Sequence, residues 1–468
     1  MNEGLDVYRS LSAAGREDRL RRSGLDARLG PDPVAPWRQA GPDTYSSGTE
    51  TQRLRYSLLV FNLEVVQVSS LGMGRGMTGK LEVGALRSGR ETAHLPPAIL
   101  TGGREAHPAI MEHGAAAEGG GQASPGGEPG RRPGGAAARL ASAAVRALQA
   151  LGLDSGEVRL AAMGERRYTV EAVQPLAADR PLPPPCRAAA EALAGALAQE
   201  QPGRPGLLMG MDPEFLLLRE ETGRVVPATR FLPTDGVAGC DAGPPGTRGA
   251  FPVAELRPAP RGTPRALLAQ LWSAAATADR RIADRTLAWR AGGMPLPGWA
   301  LGGHLHFSGV ALTAPLLRAL DNYLALPLML LEDGRAADRR PRYGTLGDFR
   351  RQPHGGFEYR TLPSFLVSPL IARGAVYLAH LIVSRYEELP DRPLDRDGLH
   401  AAFYSGDKAL LRPEIPPLLA RLRRLDGYDD AAGAIEPLFE LIAGTRAWDE
   451  TRNVRPLWSA RTITARPF

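Results

Sequence analysis

Between Leu207 and Phe365 the chain contains four apolar, strand-like runs, and each carries two ionisable side chains at positions i and i+2. Side chains two apart on a strand point to the same face of a sheet, so this spacing selects folds in which charged groups from separate strands lie side by side on one surface. The runs are LLMGMDPEFLLLRE with Asp212 and Glu214, AFPVAELRPAP with Glu255 and Arg257, LGGHLHFSG with His304 and His306, and HGGFEYRTLPSF with Glu358 and Arg360.

Each pair has an ordinary reading beside a chemical one. Asp212 and Glu214 repel each other unless a cation or a basic partner lies between them; alternatively, Asp212 caps a turn before Pro213 and Glu214 forms a single salt bridge. Glu255 and Arg257 could be a surface ion pair, which contributes little to stability, and Pro258 and Pro260 end their strand. His304 and His306 could be core imidazoles satisfied by carbonyl groups. They could also ligate a metal or hold a phosphate oxygen, and Gly302 and Gly303 remove side chains so that a ligand or a neighbouring strand can come close. The stretch RRPRYGTLGDFRRQPHGG adds Arg342 and Arg350, planar cations suited to phosphoryl oxygens. A solvated basic loop is the competing explanation for residues 339–342. It does not account for the recurrence of acid-x-Arg in a second apolar setting.

The remaining sequence supplies context. With 468 residues the chain is long enough for about two or three domains, and 43% apolar with 23% charged residues is a soluble globular composition. The formal charge of +6 comes almost wholly from Arg. It would suit nucleic acid, but equally ATP and an acidic substrate. No zinc-finger, RNA-motif or helix-turn-helix pattern occurs and the arginines are spread along the chain, which argues against a nucleic-acid partner. The two cysteines, Cys186 and Cys240, imply no disulfide framework and fit a reducing compartment. The N-terminus lacks the apolar core of a secretion signal, and no apolar run approaches the roughly 18 residues that span a bilayer. These features predict a cytoplasmic protein without a membrane partner.

Along the chain, residues 1–45 are charged, broken by Gly and Pro, and predicted to be weakly ordered. An α/β region over 46–185 follows. RYSLLVFNLEVVQV reads as strand, and the Gly-rich LGMGRGMTGK after it, with Gly72, Gly74, Gly76 and Gly79, is either a flexible loop or a phosphate cradle. Residues at about 114–135, GAAAEGGGQASPGGEPGRRPGG, have almost nothing to bury and predict a disordered insertion. The next run places Leu140, Ala144, Ala147, Leu148 and Leu151 on one helical face. GEVRLAAM and RYTVEAVQPL alternate like a β-pair around Gly164, and PLPPPC is expected to end regular structure. After a helix over 187–199, QPGRPG marks the boundary of a domain spanning 206–468. Within it, ALDNYLALPLMLLED predicts a helix kinked at Pro327, and the segment from Ser368 to Leu389 a helix in which His380 is a packed residue.

The order DPE, ELR, GGHLHFS, EYR resembles the glutamine synthetase superfamily, and GDFR followed by HGGFEYRTLPSF looks closest to the phage-type carboxylate-amine ligases, or type 2 amidoligases. The resemblance covers about residues 206–369. It implies an α+β fold: a glutamine synthetase-like catalytic domain with a curved, mainly antiparallel sheet backed by helices, plus the smaller N-terminal α/β region. It implies that Asp212, Glu214, Glu255, His304 and Glu358 coordinate Mg2+, two ions in all, and that His306, Arg342, Arg350 and Arg360 face ATP. Arg350, Arg360 and Arg257 are the implied catalytic cations. The implied activity is ATP-dependent amide or peptide bond formation through an acyl phosphate, on small-molecule, peptide or protein carboxylates and amines. A glutamate-cysteine-ligase-like enzyme and a metal-dependent hydrolase are the alternatives. Asp at the first acidic position and the lack of a recognisable ammonium-site loop leave the amine open.

Overall fold

The run expected as strand from Arg55 to Val68 folds back on itself as a hairpin of Arg55–Phe61 (β2) and Glu64–Leu71 (β3), closed by Asn62 and Leu63 in the left-handed region with φ of 43° and 62°, as a two-residue hairpin turn requires. The computed structural model describes residues 1–30, 54–71, 134–163, 167–177, 179–244, 247 and 249–459. The Gly-rich loop at 72–79, the insertion up to residue 133, Gly164 and the segment 31–53 lie outside the described residues.

A first sheet runs in the order β1-β5-β4-β2-β3. It joins the hairpin to Gly156–Ala162 (β4) and Tyr168–Pro175 (β5), with Asp26–Ala27 (β1) added parallel to β5. One face is covered by the helix Gly134–Ala150, whose Leu140, Ala144, Ala147 and Leu148 are buried together with Leu151. Residues 1–30 depart from the weakly ordered segment expected there. They form the helices Leu5–Ser10 and Ala13–Arg22, the second capped by Ser12, before entering β1. Their order comes from contacts at long range: buried Arg19 donates to the carbonyls of Ala150, Leu394 and Asp395, and Leu20 is fully enclosed.

The prolines of PLPPPC do not end structure either. Pro184 and Pro185 occupy the first turn of the helix Pro184–Gln199, where a missing N–H costs nothing.

The second sheet has eight strands and only antiparallel pairings. Its strands are Leu208–Arg219 (β6), Arg224–Val226 (β7), Ala238–Asp241 (β8), Val253–Leu256 (β9), Leu287–Arg290 (β10), Gly303–Ser308 (β11), Phe349–Arg351 (β12) and Phe357–Tyr359 (β13). The order β12-β13-β11-β6-β9-β8 places β6 at the centre, with β7 and β10 joining its far half. Its apolar face, including Met211, Phe215, Leu305, Phe307, Phe357 and Tyr359, belongs to one large core. The helices Pro264–Arg281 and Pro369–Arg385 pack into that core and on each other.

The run around Pro327 resolves into the helix Ala314–Leu320, a π-helical turn over Asp321–Ala325 and the helix Leu326–Leu331. The wider turn lies directly before the proline ring, where a helix must yield. Ala314–Leu331 reaches 18 residues at a mean hydropathy of 1.2, longer than the apolar runs expected, but 89% of it is buried inside the protein. The whole is a mixed α+β fold with antiparallel sheets and helices.

Candidate active site

The paired ionisable residues meet because β6 changes partners in its middle. Over Leu208–Pro213 it pairs with β11, which sets Asp212 opposite His304; from Glu214 it pairs with β9, which sets Glu214 opposite Glu255. β11 in turn sets His306 opposite Glu358, and β13 sets Glu358 opposite Arg350. Strand alternation puts all of these side chains on the face turned away from the core.

At the centre, Asp212 Oδ1 lies 3.1 Å from His304 Nδ1, Asp212 Oδ2 lies 3.0 Å from His306 Nε2, and Glu358 Oε1 lies 3.3 Å from His304 Nδ1. Asp212 and Glu358 are buried, the latter with no exposed surface. Despite these approaches, Asp212 Oδ1, His306 Nε2, Glu358 Oε1 and Arg360 Nε have no hydrogen-bond partner. Each of these atoms lies in an ion-pair contact without the geometry of a hydrogen bond, so the group holds itself together by charge and retains capacity for a further partner. Asp212, His306 and Glu358 each offer one donor atom, all within 4.8 Å of one another. That compact trio contains His306, whereas the resemblance favoured His304 as the metal ligand. His304 instead stands between the two carboxylates.

Burial works against charge on both His304 and Asp212, yet their mutual contact prevails. The two imidazoles hold the Asp212 carboxyl well below its ordinary range, and the Asp212 carboxylate holds His304 above its own. Gly302 permits this arrangement, because a Cβ there would sit 2.3 Å from His304 Nε2. Gly303 permits the strand to pass, because its Cβ would sit 2.4 Å from the Pro363 carbonyl oxygen.

On the neighbouring row Glu214 is half-buried and accepts the Gly302 N–H at 2.7 Å. Burial pushes its pKa up. Glu255 is pushed up to about 9 by burial and by the charge of Asp212, against the pull of Arg257. Arg257 pairs with Glu255 and donates to the Thr234 carbonyl at 3.1 Å. A Cβ at Gly239 would fall 2.2 Å from this guanidinium.

Glu358 anchors the remaining cations. Arg350 reaches Glu358 Oε2 at 2.5 Å and Arg360 lies 3.1 Å from Oε1, while both guanidiniums keep exposed surface. Arg342 is not brought to this group; it is exposed, with its guanidinium 5.6 Å from the Tyr343 ring centre. Its neighbours contradict the solvated loop. Arg339 and Arg340 are buried, the first donating to the Thr361 and Leu362 carbonyls and the second to Glu332.

Sequence reasoning missed Gln352, which donates to Glu358 Oε2 at 3.1 Å, and Asp241, whose charge raises Glu214 and Glu255. Gln352 follows Arg350 at the same i+2 spacing, a signal that was available. His380 and His400 lie elsewhere, His380 against the Gly262 carbonyl and His400 stacked near Tyr404.

Carboxylates, imidazoles and guanidiniums thus face one another on one side of an antiparallel sheet, and Asp212, His306 and Glu358 are close enough together that they could hold a metal ion. Residues 209–460 match the family described as phage phiEco32-like COOH.NH2 ligase, type 2, and the protein belongs to that family, the one its motifs resemble. A comparison with curated proteins finds no match. Among solved structures, a bifunctional glutathione synthetase from Pasteurella multocida aligns with 12% identity and a TM-score of 0.32, over 59% of this chain. The aligned part spans about half of that structure, 51%.

Proposed function

We propose that the protein uses ATP to activate a carboxylate and joins it to an amine at a glutamine synthetase-like site on the polar face of the eight-stranded sheet. The observation that supports this best is the compact trio Asp212, His306 and Glu358, whose ligand atoms lie within 4.8 Å of one another, with Arg350 and Arg360 on Glu358. Carboxylate oxygens with one imidazole suit a hard divalent cation such as Mg2+. Asp212, His306 and Glu358 would hold one ion, and Glu214 with Glu255 on the next row would serve a second. Bound there, Mg2+ would offset the charge of the ATP phosphates.

The chain's own cations do the rest. Arg350 and Arg360, both tethered to Glu358, present guanidiniums to a phosphoryl group in transfer, and Arg257 extends the cationic rim from Glu255. A carboxylate oxygen attacks the γ-phosphorus and the bond to ADP breaks. The amine nitrogen then attacks the acyl carbon, phosphate leaves, and the amine gives up a proton. Substrates of this reaction are small-molecule or peptide carboxylates and amines.

The reading is tested by screening carboxylate and amine pools for phosphate release from ATP that depends on the amine, with the wild type beside Glu214→Ala. Release by the wild type alone is expected; equal release by both would contradict the role given to Glu214.

A further inference from the structure

Strand β12 is the part of the site with the least support from its own sheet. It has three residues and lies at the sheet edge with β13 as its neighbour, yet it carries Arg350. A ladder this short holds a strand weakly, and a long, solvent-facing arginine is placed only as well as its backbone.

Two contacts from the N-terminal unit bracket this strand. Ahead of it, Gln149 at the end of the helix Gly134–Ala150 donates Nε2 to the Gly347 carbonyl at 2.8 Å. Gly347 has φ +67°, and a Cβ there would lie 2.8 Å from that same nitrogen. The Gly347 N–H donates to Asp321 Oδ1 at 2.9 Å, and this oxygen also accepts the Tyr359 hydroxyl at 2.7 Å. Gly347 is thus held at both of its backbone polar groups, between the N-terminal unit and β13. At the strand's last residue, Arg351 donates to the Asn62 carbonyl at 3.2 Å at the tip of the β2-β3 hairpin. That tip is itself fixed: Asn62 Nδ2 donates to the Leu312 carbonyl at 3.0 Å, and Leu63, 2% exposed, is buried in the core of the second unit.

We propose that the N-terminal unit is a positioning element for Arg350, with Gln149 acting through Gly347 and the hairpin tip acting through Arg351. What Arg350 does in the site rests on the ligase reading; the clamp does not. Misplacing a group by about 1 Å is enough to impair a site of this kind.

The test uses the full chain as wild type, Gln149→Leu, Arg350→Ala and the double variant. Leu matches Gln in size and cannot donate. Hydrogen exchange over residues 347–352 and affinity for magnesium with a non-hydrolysable ATP analogue are measured beside the melting temperature. For Gln149→Leu, exchange in that segment should speed up while the first sheet and the melting temperature stay as in the wild type. Nucleotide affinity should fall about tenfold, and the double variant should bind no more weakly than Arg350→Ala alone. Unchanged exchange, or losses that multiply in the double variant, would overturn the proposal. A wild type that binds no nucleotide would remove the ligase reading, and the exchange result would still decide the clamp.

Discussion

In the five-stranded sheet the polar side chains that alternate outward settle with one another. Ser57 Oγ donates to Glu157 at 2.6 Å, Arg55 pairs with Glu171 at 3.0 Å, and Thr169 Oγ1 donates to Asp26 at 2.7 Å. Among the described residues, no buried side-chain polar atom on β1 to β5 lacks a partner. In the eight-stranded sheet the same alternation sets Asp212 and Glu214 on one face with Glu255 opposite Glu214, and leaves buried atoms of Asp212, His306, Glu358 and Arg360 in ion-pair contact but without a partner in hydrogen-bond geometry. A polar face that satisfies itself is scaffold. One that gathers acids, imidazoles and guanidiniums under burial with hydrogen-bonding capacity to spare can take a ligand.

The contrast is most exposed at Glu358, which has no surface of its own and is contacted by Arg350, Arg360 and the His304 imidazole. Glu358→Gln should lower amine-dependent ATP turnover about a thousandfold, read as phosphate release at saturating magnesium; near-normal turnover would mean that this polar face is not the reaction site.

Next comes the π-helical turn Asp321–Ala325, whose Asp321 meets Tyr359 on the core-facing side of the same sheet. Burial pushes the Asp321 carboxyl up to about 7, although it accepts from Tyr359 and Gly347. A pKa raised above its unfolded value contributes stability that is present below about pH 4 and lost as the pH rises through about 7. Asp321→Asn should therefore flatten the fall in unfolding free energy across that window by ~4 kcal/mol, as chemical denaturation at several pH values would record. An unaltered pH profile would show that another group governs it.

A smaller effect is expected at Gly302→Ala, whose added methyl must displace the His304 ring. Magnesium affinity should drop by about 10 to 100-fold in a calorimetric titration, and an unchanged affinity would show that the ring can turn aside at no cost to the site. Last, Glu157→Gln on the self-satisfied face should move stability by less than about 0.5 kcal/mol and leave turnover alone. A large loss of activity there would erase the distinction between the two sheets.

Much of the site was legible because its signal is local. Same-face pairing of Asp212 with Glu214, His304 with His306, and Glu358 with Arg360 follows from strand geometry alone, and the helical face of Leu140, Ala144, Ala147 and Leu148 follows from its period. Arg342 and Arg339 show the limit. They are neighbours in one basic stretch, yet Arg339 is buried on carbonyl groups and Arg342 stands over Tyr343 in solvent. No pattern within the stretch separates them, since the carbonyls that draw Arg339 inward belong to Thr361 and Leu362.

From the chain alone came the family, the strands that carry ionisable groups, and the chemical kind of each group, because these depend on residue identity and spacing over a few positions. Which strand lies beside which, that His306 rather than His304 completes the compact trio, and that Gln149 and the β2-β3 tip come to touch Gly347 and Arg351 around β12 were decided only in three dimensions. Those outcomes depend on register between distant segments and on backbone groups whose partners are far away in sequence, and neither leaves a local trace in the side chains.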